Sequence, residues 1–367
     1  MKIGILTISK SEASFGANLQ CYALWKYVSS LKLGECEVVD LKRPCQFEYK
    51  NPRHKFFNEI EKKNPLIKCS LKQKIFAPIH IIRNRPFKKF WELIHFSKTI
   101  NIDELYKKSP SYDILISGSD QIWNFNMPFY TEVFFLSFNF SGRKISYASS
   151  MGALEVTRNH EREIKKYLDS YSSISVREKD AQKYLSDLLG KDVNCNIDPV
   201  FLLSKDEWDE ICSTEVLIKE KYIFAYSLHY SEQFLKELEF FSEKYNVQVV
   251  TYGSKLKLSF IKNVKQAGPR EFINLIKNAW YIVTDSFHCV AFSLIYKNNF
   301  IAVKNEINKN TISRIETLVS YIKSETYLIN QDELHSYSFI PVDYSGYDEL
   351  LSIVEDSKNY LKEALHE

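Results

Sequence analysis

The residues best equipped for chemistry fall in five short clusters, each at the end of an apolar run of strand length or in the loop that follows it. They are Phe15-Gly16-Ala17-Asn18-Leu19-Gln20, Gly118-Ser119-Asp120-Gln121-Ile122-Trp123-Asn124, Ser149-Ser150-Met151-Gly152, Ser175-Val176-Arg177-Glu178 and Thr284-Asp285-Ser286-Phe287-His288. His288 carries the most information. It follows an apolar run and opens a helical pattern, which puts its imidazole beside the unpaired N–H groups and partial positive charge of a helix start. A histidine there can contact a phosphate and pass a proton near neutral pH; a structural first-turn histidine is the competing reading. Arg177 offers a planar fork of donors suited to a carboxylate or a phosphate, or else pairs with a neighbouring carboxylate. Helix capping alone accounts for Asn18, Ser175 and one of Asp285 or Ser286. Of the other seven histidines, only His229, after the apolar run 222–228, is placed to approach the same region.

These clusters need elements to hold them. KIGILTI (2–8) reads as a strand, and CYALWKYVSSL brings Tyr22, Leu24, Trp25, Val28 and Leu31 to helical spacing before the strand CEVVDL (36–41). That opening is a β–loop–α–β unit, the seed of a parallel doubly wound sheet. YDILISGSD (112–120), KISYASSMGA (144–153) and SSISVREKDA (172–181) repeat the pattern, and Asp198-Pro199 marks a turn where a first domain can finish. A second series follows: YIFAYSL (222–228), a helix over 230–245, VQVVTYG (247–253), a helix opened by Pro269, and strand–loop–helix–strand over 280–303. The expected fold is α/β, with two Rossmann-like domains facing across a cleft in the manner of glycosyltransferase-B folds. The boundaries are 1–205 with a basic helical insertion at about 45–95, 206–344, and a C-terminal helix over 345–367 packing back near the junction. In open parallel sheets ligands bind beyond the carboxyl ends of strands, so polar clusters at those ends are the ones that count.

At 367 residues the chain exceeds one comfortable core. No stretch approaches the ~20 apolar residues needed to span a bilayer, and the opening run is too short for a signal-peptide core. Seven cysteines, scattered and without a C-x-x-C pair, argue against a disulfide framework or a zinc site and fit a reducing cytoplasm. The net charge of +3 hides an asymmetry, because residues 41–92 hold 14 Lys/Arg against 4 Glu. Two readings of this segment compete: a helical insertion with a solvated basic face, or a patch over 42–91 drawn to anionic head groups at the inner face of the plasma membrane or to a pyrophosphate-linked acceptor. No nucleic-acid motif accompanies the charge.

Taken together and in order, the stretches FGANLQCYAL (15–24), YDILISGSDQIWN (112–124), SYASSMGA (146–153), SVRE (175–178), IDPVFLL (197–203), TDSFHCVAFSLIYKNNFIAV (284–303) and SRIETL (313–318) resemble the polysaccharide pyruvyl transferase family. The resemblance covers nearly the whole chain and is least distinctive over 45–90. It implies transfer of a pyruvyl unit from phosphoenolpyruvate, a co-substrate, to hydroxyls of a cell-surface or lipid-linked glycan, with no cofactor or metal required. Carried over by motif, Arg177 binds the donor's carboxylate or phosphate, and His288 is the general acid and a phosphate contact, with Ser286, Phe287 and Arg314 beside it. Asp120 orients or deprotonates an acceptor hydroxyl, and Asn18, Gln20, Ser119, Gln121 and Trp123 complete the acceptor set, Trp123 stacking on a sugar or serving as a core residue. The N-terminal domain is then the acceptor side and the C-terminal domain the donor side. Two departures stand out. Some members carry Arg two residues before the motif His, where this chain has Ser286, so Arg314 or Lys255 is the expected additional cation; the following position, often Gly, is Cys289. A nucleotide-sugar glycosyltransferase of the same fold and a non-catalytic scaffold in a glycan-assembly complex are the alternative readings.

Overall fold

Short apolar runs build two fully parallel sheets, each buried on both faces as parallel strands require. The computed structural model describes residues 1–12, 14–42, 84–127, 130–152, 154–252, 256–265, 267–304, 309–322 and 327–366. Most of the basic segment expected at about 45–95 and Lys255 therefore lie outside the described residues. The chain divides into two units: Met1–Ile82, Trp91–Leu202 and Val354–Glu367 form the first, Arg83–Phe90 and Leu203–Ile353 the second.

In the first unit, β1 (Lys2–Leu6), β2 (Glu35–Val38), β5 (Ile114–Ser117), β6 (Arg143–Ser146) and β7 (Tyr171–Ser173) pair in the order β2-β1-β5-β6-β7. Two small ladders flank them, β3 (Leu41–Lys42) with β4 (Ile100–Asn101) and β8 (Ser175–Val176) with β9 (Asn194–Cys195). The helix Phe15–Ser30 is opened by Ser14, whose hydroxyl accepts from Ala17 N at 3.1 Å. Leu6, Leu115, Ile122, Trp123, Phe135, Val176 and Leu185 belong to one buried cluster. The end of the helix Tyr347–His366 packs within this unit: Ser357 Oγ accepts from Ile197 N at 3.0 Å, and Tyr360 donates to Ser146 O at 2.9 Å. Arg143 donates to the carbonyls of Ala364 and Leu365, at 3.2 and 2.8 Å, meeting the negative end of that helix.

The second unit holds β10 (Tyr222–Tyr226), β11 (Gln248–Tyr252), β12 (Ile261–Val264), β13 (Tyr281–Thr284), β14 (Phe300–Lys304) and β15 (Leu328–Asn330), in the order β12-β11-β10-β13-β14-β15. Ranked along the chain this is the 3-2-1-4-5-6 order of a Rossmann sheet, and the first unit's five-stranded order is the 2-1-3-4-5 of flavodoxin-like sheets. Each order reverses once, between β1 and β5 in the first unit and between β10 and β13 in the second. At such a reversal the crossovers leave on opposite faces, and a crevice opens beyond the strand ends.

Candidate functional site

The crevice of the first unit is formed by the loops after β1 and β5. Gly118 is required by their close approach, since a Cβ there would lie 2.8 Å from Thr7 Cβ. Thr7 Oγ1 donates to Ser119 O at 2.8 Å and accepts from Gln20 Nε2 at 3.0 Å, tying the two loops and the helix Phe15–Ser30 together. Gln20 Nε2 also lies 3.1 Å from Ile8 O and 3.0 Å from Ala17 O. Asn18 donates to Ser11 O and Ser14 O at 2.7 and 2.6 Å and accepts from Trp91 Nε1 at 2.7 Å. Both amides are buried and held by these bonds, so they build the crevice wall and are not presented to an acceptor as expected. Trp123 is a correction of the same kind. It is 0% exposed, stacks on Phe135 with centroids 4.9 Å apart, meets Tyr171 edge-on, and donates to Ser117 Oγ and Phe134 O. A ring so enclosed has no face to offer a sugar.

Asp120 and Gln121 are half-buried. Asp120 sits in the left-handed region at φ 72°, a conformation that Asp adopts more readily than bulky residues and that recurs at functional sites. Its Oδ1 accepts from Gln121 N at 2.8 Å, and its carbonyl accepts from Ser150 N at 3.0 Å. Gln121 Oε1 accepts from Asn124 Nδ2 at 2.8 Å.

Behind these residues lies a buried ionic cluster. Arg177 Nη1 donates to Asp198 Oδ2 at 2.5 Å and Nε donates to Glu178 Oε1 at 3.4 Å, with the guanidinium side chain 4% exposed. Ser119 Oγ donates to the same Asp198 oxygen at 3.4 Å, and Ser150 Oγ donates to Glu178. Burial alone would pull the Arg177 pKa down, but the carboxylates of Asp198, Glu178 and Asp120 more than offset it, and the pKa is raised. Arg177 was expected to clamp the donor. The structure shows its fork already paired on two nitrogens, in the unit that does not contain His288.

The crevice of the second unit gathers Ser286, Phe287, His288 and Arg314. Thr284 Oγ1, at the end of β13, donates to Tyr226 O and accepts from Ser286 N at 3.0 Å, turning the chain into the helix Phe287–Tyr296. Ser286 is the N-cap and makes no side-chain capping bond. His288 is half-buried in the first turn, its ring set at 90° to Phe287 with centroids 5.2 Å apart. The Arg314 guanidinium lies 5.8 Å from the opposite partner of that contact, the Phe287 ring centroid, and is 6% exposed. Four of the five expected donor residues thus share one crevice.

The alternative reading of Arg177, a pairing with a neighbouring carboxylate, is met by Glu178, and Asp198 joins it from 21 positions away; the sequence reading did not single out Asp198, nor Thr7 and Ser227 as loop ties. Acids one and 21 positions from a buried-strand arginine were the available signal. Among the described residues, Glu35, Glu37 and His95 form one group with ligand atoms within 4.8 Å of one another. The Lys2 ammonium, 3.0 Å from Glu37, already balances charge there.

Two doubly wound sheets with polar clusters at both reversals define an α/β protein of Rossmann-like, glycosyltransferase-B-like units, as the sequence led one to expect. Residues 15–306 match the family model described as polysaccharide pyruvyl transferase, and the chain belongs to that family. No curated protein sequence matches it. Among solved structures, a UDP-N-acetylglucosamine 2-epimerase is similar over 99% of this chain and 95% of its own, at 12% identity and TM-score 0.54, which shows the fold. The UDP-GlcNAc 2-epimerase of Methanocaldococcus jannaschii (12% identity, 98% and 93% covered, TM-score 0.49) and the ADP-heptose LPS heptosyltransferase II of E. coli (11%, 98% and 100%, 0.39) are less similar.

Proposed function

We propose that this protein transfers the pyruvyl unit of phosphoenolpyruvate to two hydroxyls of one sugar, in a cell-surface or lipid-linked glycan, forming a cyclic ketal and releasing inorganic phosphate. The observation that carries this reading is the place of His288: the first turn of a helix, at the strand-order reversal of a Rossmann sheet, in a chain of the pyruvyl transferase family.

Phosphoenolpyruvate is an enol phosphate with a carboxylate on the same carbon. His288 gives a proton to its methylene carbon, which becomes the methyl group, and the substituted carbon turns electrophilic. A sugar hydroxyl oxygen bonds to that carbon and gives up its proton. The carbon–phosphate oxygen bond breaks, and phosphate leaves with the electron pair. The second hydroxyl adds to the same carbon and loses its proton, closing the ketal. One hydroxyl proton replaces the one spent by His288, and the other goes to the departing phosphate, so the balance closes without an oxidant or a metal. The amides of the helix start at Phe287 favour the negative charge of the donor. On the acceptor side, Asp120, half-buried at the reversal in the first unit, is the group placed to orient or deprotonate a hydroxyl.

The His288→Ala variant tests the reading: acceptor-dependent phosphate release falls by about 10²–10⁴-fold, the usual share of an acid–base group, while the fold is kept. Near wild-type turnover in that variant removes His288 from the chemistry. The fold similarity to an epimerase named for UDP-N-acetylglucosamine favours one second reading, a nucleotide-sugar glycosyltransferase. Thermal stabilisation separates the two. Phosphoenolpyruvate raises Tm on the first reading, and UDP- or GDP-sugars raise it on the second.

A further inference from the structure

A donor with both a phosphate and a carboxylate asks for more than one anion contact, and in the second unit a second histidine, His229, follows the strand next to the one that leads to His288. The parallel register of β10 and β13 pairs Tyr226 with Thr284. Just past the strand ends, Ser227 and Leu228 both meet Asp285. Asp285 joins the two loops. Its carboxylate, in a residue 3% exposed, reaches across the reversal: Oδ1 accepts from Leu228 N at 2.8 Å, and Oδ2 lies 2.9 Å from Ser227 Oγ, whose hydrogen it shares with His229 O at 2.6 Å.

The rest of the loop is tied as completely. Ser227 N donates to Tyr230 Oη at 3.3 Å, and His229 N donates to Ser227 Oγ at 3.1 Å. Tyr230 in turn donates to Ala225 O at 2.9 Å. Every backbone N–H from 227 to 229 therefore has an acceptor, and the loop's one large polar side chain, the His229 imidazole, is left exposed at the crevice. A buried carboxylate beside an anion site would repel the ligand unless its lone pairs were engaged by donors. Leu228 N engages one Asp285 oxygen, and the shared Ser227 hydroxyl lies within reach of the other.

We propose that Asp285 is a positioning residue that locks the Ser227–His229 loop, and that His229 is thereby a second anion contact, opposite His288, for the donor's phosphate or carboxylate. This rests on the pyruvyl-transfer reading for the identity of the anion. The loop clamp itself does not.

Two measurements test it. In wild type, hydrogen exchange at the Leu228 amide is protected; Asp285→Ala abolishes that protection, and Asp285→Asn, which keeps a carbonyl oxygen, restores part of it. In kinetics, His229→Ala, a change at an exposed side chain, raises the KM for phosphoenolpyruvate about tenfold, the value of one charge-assisted contact, and leaves kcat within about threefold. Asp285→Ala raises the same KM, and the double variant goes no further than the larger single effect, because both changes remove one contact. An unchanged KM in His229→Ala, additive effects in the double variant, or undiminished Leu228 protection in Asp285→Ala overturns the proposal. If wild type does not turn over phosphoenolpyruvate, pyruvyl transfer itself fails. Inorganic phosphate then serves as the probe: weaker phosphate binding in His229→Ala upholds the anion contact, and equal binding refutes it.

Discussion

Replacing Arg177 with Met removes a guanidinium whose side chain is 4% exposed and leaves two acids in place, Asp198 at 0% and Glu178 at 2%. Breaking a buried pair by deleting one partner costs about 3–5 kcal/mol, because the remaining charge is stranded away from water. For a domain of roughly 150–250 residues each kcal/mol moves Tm by about 2–4 °C, so the loss is on the order of 6–20 °C. The pH dependence has a definite sign. The Arg177 pKa is raised in the folded protein, so its contribution is complete below the unfolded value and is lost only as pH climbs through the folded one. Both lie above the working range, and the deficit of the variant is flat between about pH 6 and 9. Asp198→Asn in the same chain removes a stranded charge, and the double variant is more stable than the two single losses added together would give, by about 0.5–3 kcal/mol. Scanning calorimetry on wild type, both single variants and the double variant supplies the cycle. A Tm drop under about 3 °C for Arg177→Met, or strict additivity, refutes the assignment of this cluster as a structural ion pair.

Trp123→Phe keeps the packing against Phe135 but loses the indole donor to Ser117 Oγ and Phe134 O; urea unfolding shows a loss of about 1–3 kcal/mol, while the acceptor KM stays unchanged. Gly152→Ala puts a side chain at φ +68° with its Cβ 2.3 Å from Asn124 Nδ2, and the loop strain costs about 1–3 kcal/mol by the same assay. Burial raises the Glu37 pKa, but the Tyr112 hydroxyl, 2.6 Å away, and Lys2 lower it further, and the net shift is downward. A carboxylate with a depressed folded pKa stabilises above its unfolded value, about 4.3, and loses that contribution as pH falls through the folded one. Glu37→Gln is therefore less stable than wild type at pH 7, and the gap closes in acid; thermal melts across pH 3–7 read it out.

How legible the molecule was depends on range along the chain. Strand runs such as Lys2–Leu6 and Tyr281–Thr284 announce themselves because parallel strands are apolar on both faces, and their loops were read correctly as the polar ends. The two-unit fold followed from the repetition of that pattern, and the motif stretches were enough to recognise the family. His288 was placed well for a local reason: its strand, its turn and its helix are contiguous in sequence. Arg177, Asn18, Gln20 and Trp123 were harder, since a side chain's availability depends on partners far away. Asp198 lies 21 positions from Arg177 and Trp91 lies 73 positions from Asn18. Residue type and spacing show that a guanidinium or an indole stands at a strand end. They do not show that a carboxylate or a phenyl ring from another element has already taken it. The Asp285–Ser227 tie is hidden for the same reason, as it exists only once β10 and β13 are paired.

Among the described residues no helix is long and apolar enough to cross a membrane. The most direct measurement is proton NMR of wild type and His288→Ala incubated in D₂O with phosphoenolpyruvate and a panel of synthetic galactosides, mannosides and glucosides. Pyruvyl transfer with an acid at 288 gives a ketal methyl carrying solvent deuterium, together with inorganic phosphate, in wild type and almost none in the variant. A ketal formed equally fast by both proteins, or an acceptor extended by a sugar from a nucleotide donor with phosphoenolpyruvate untouched, contradicts it.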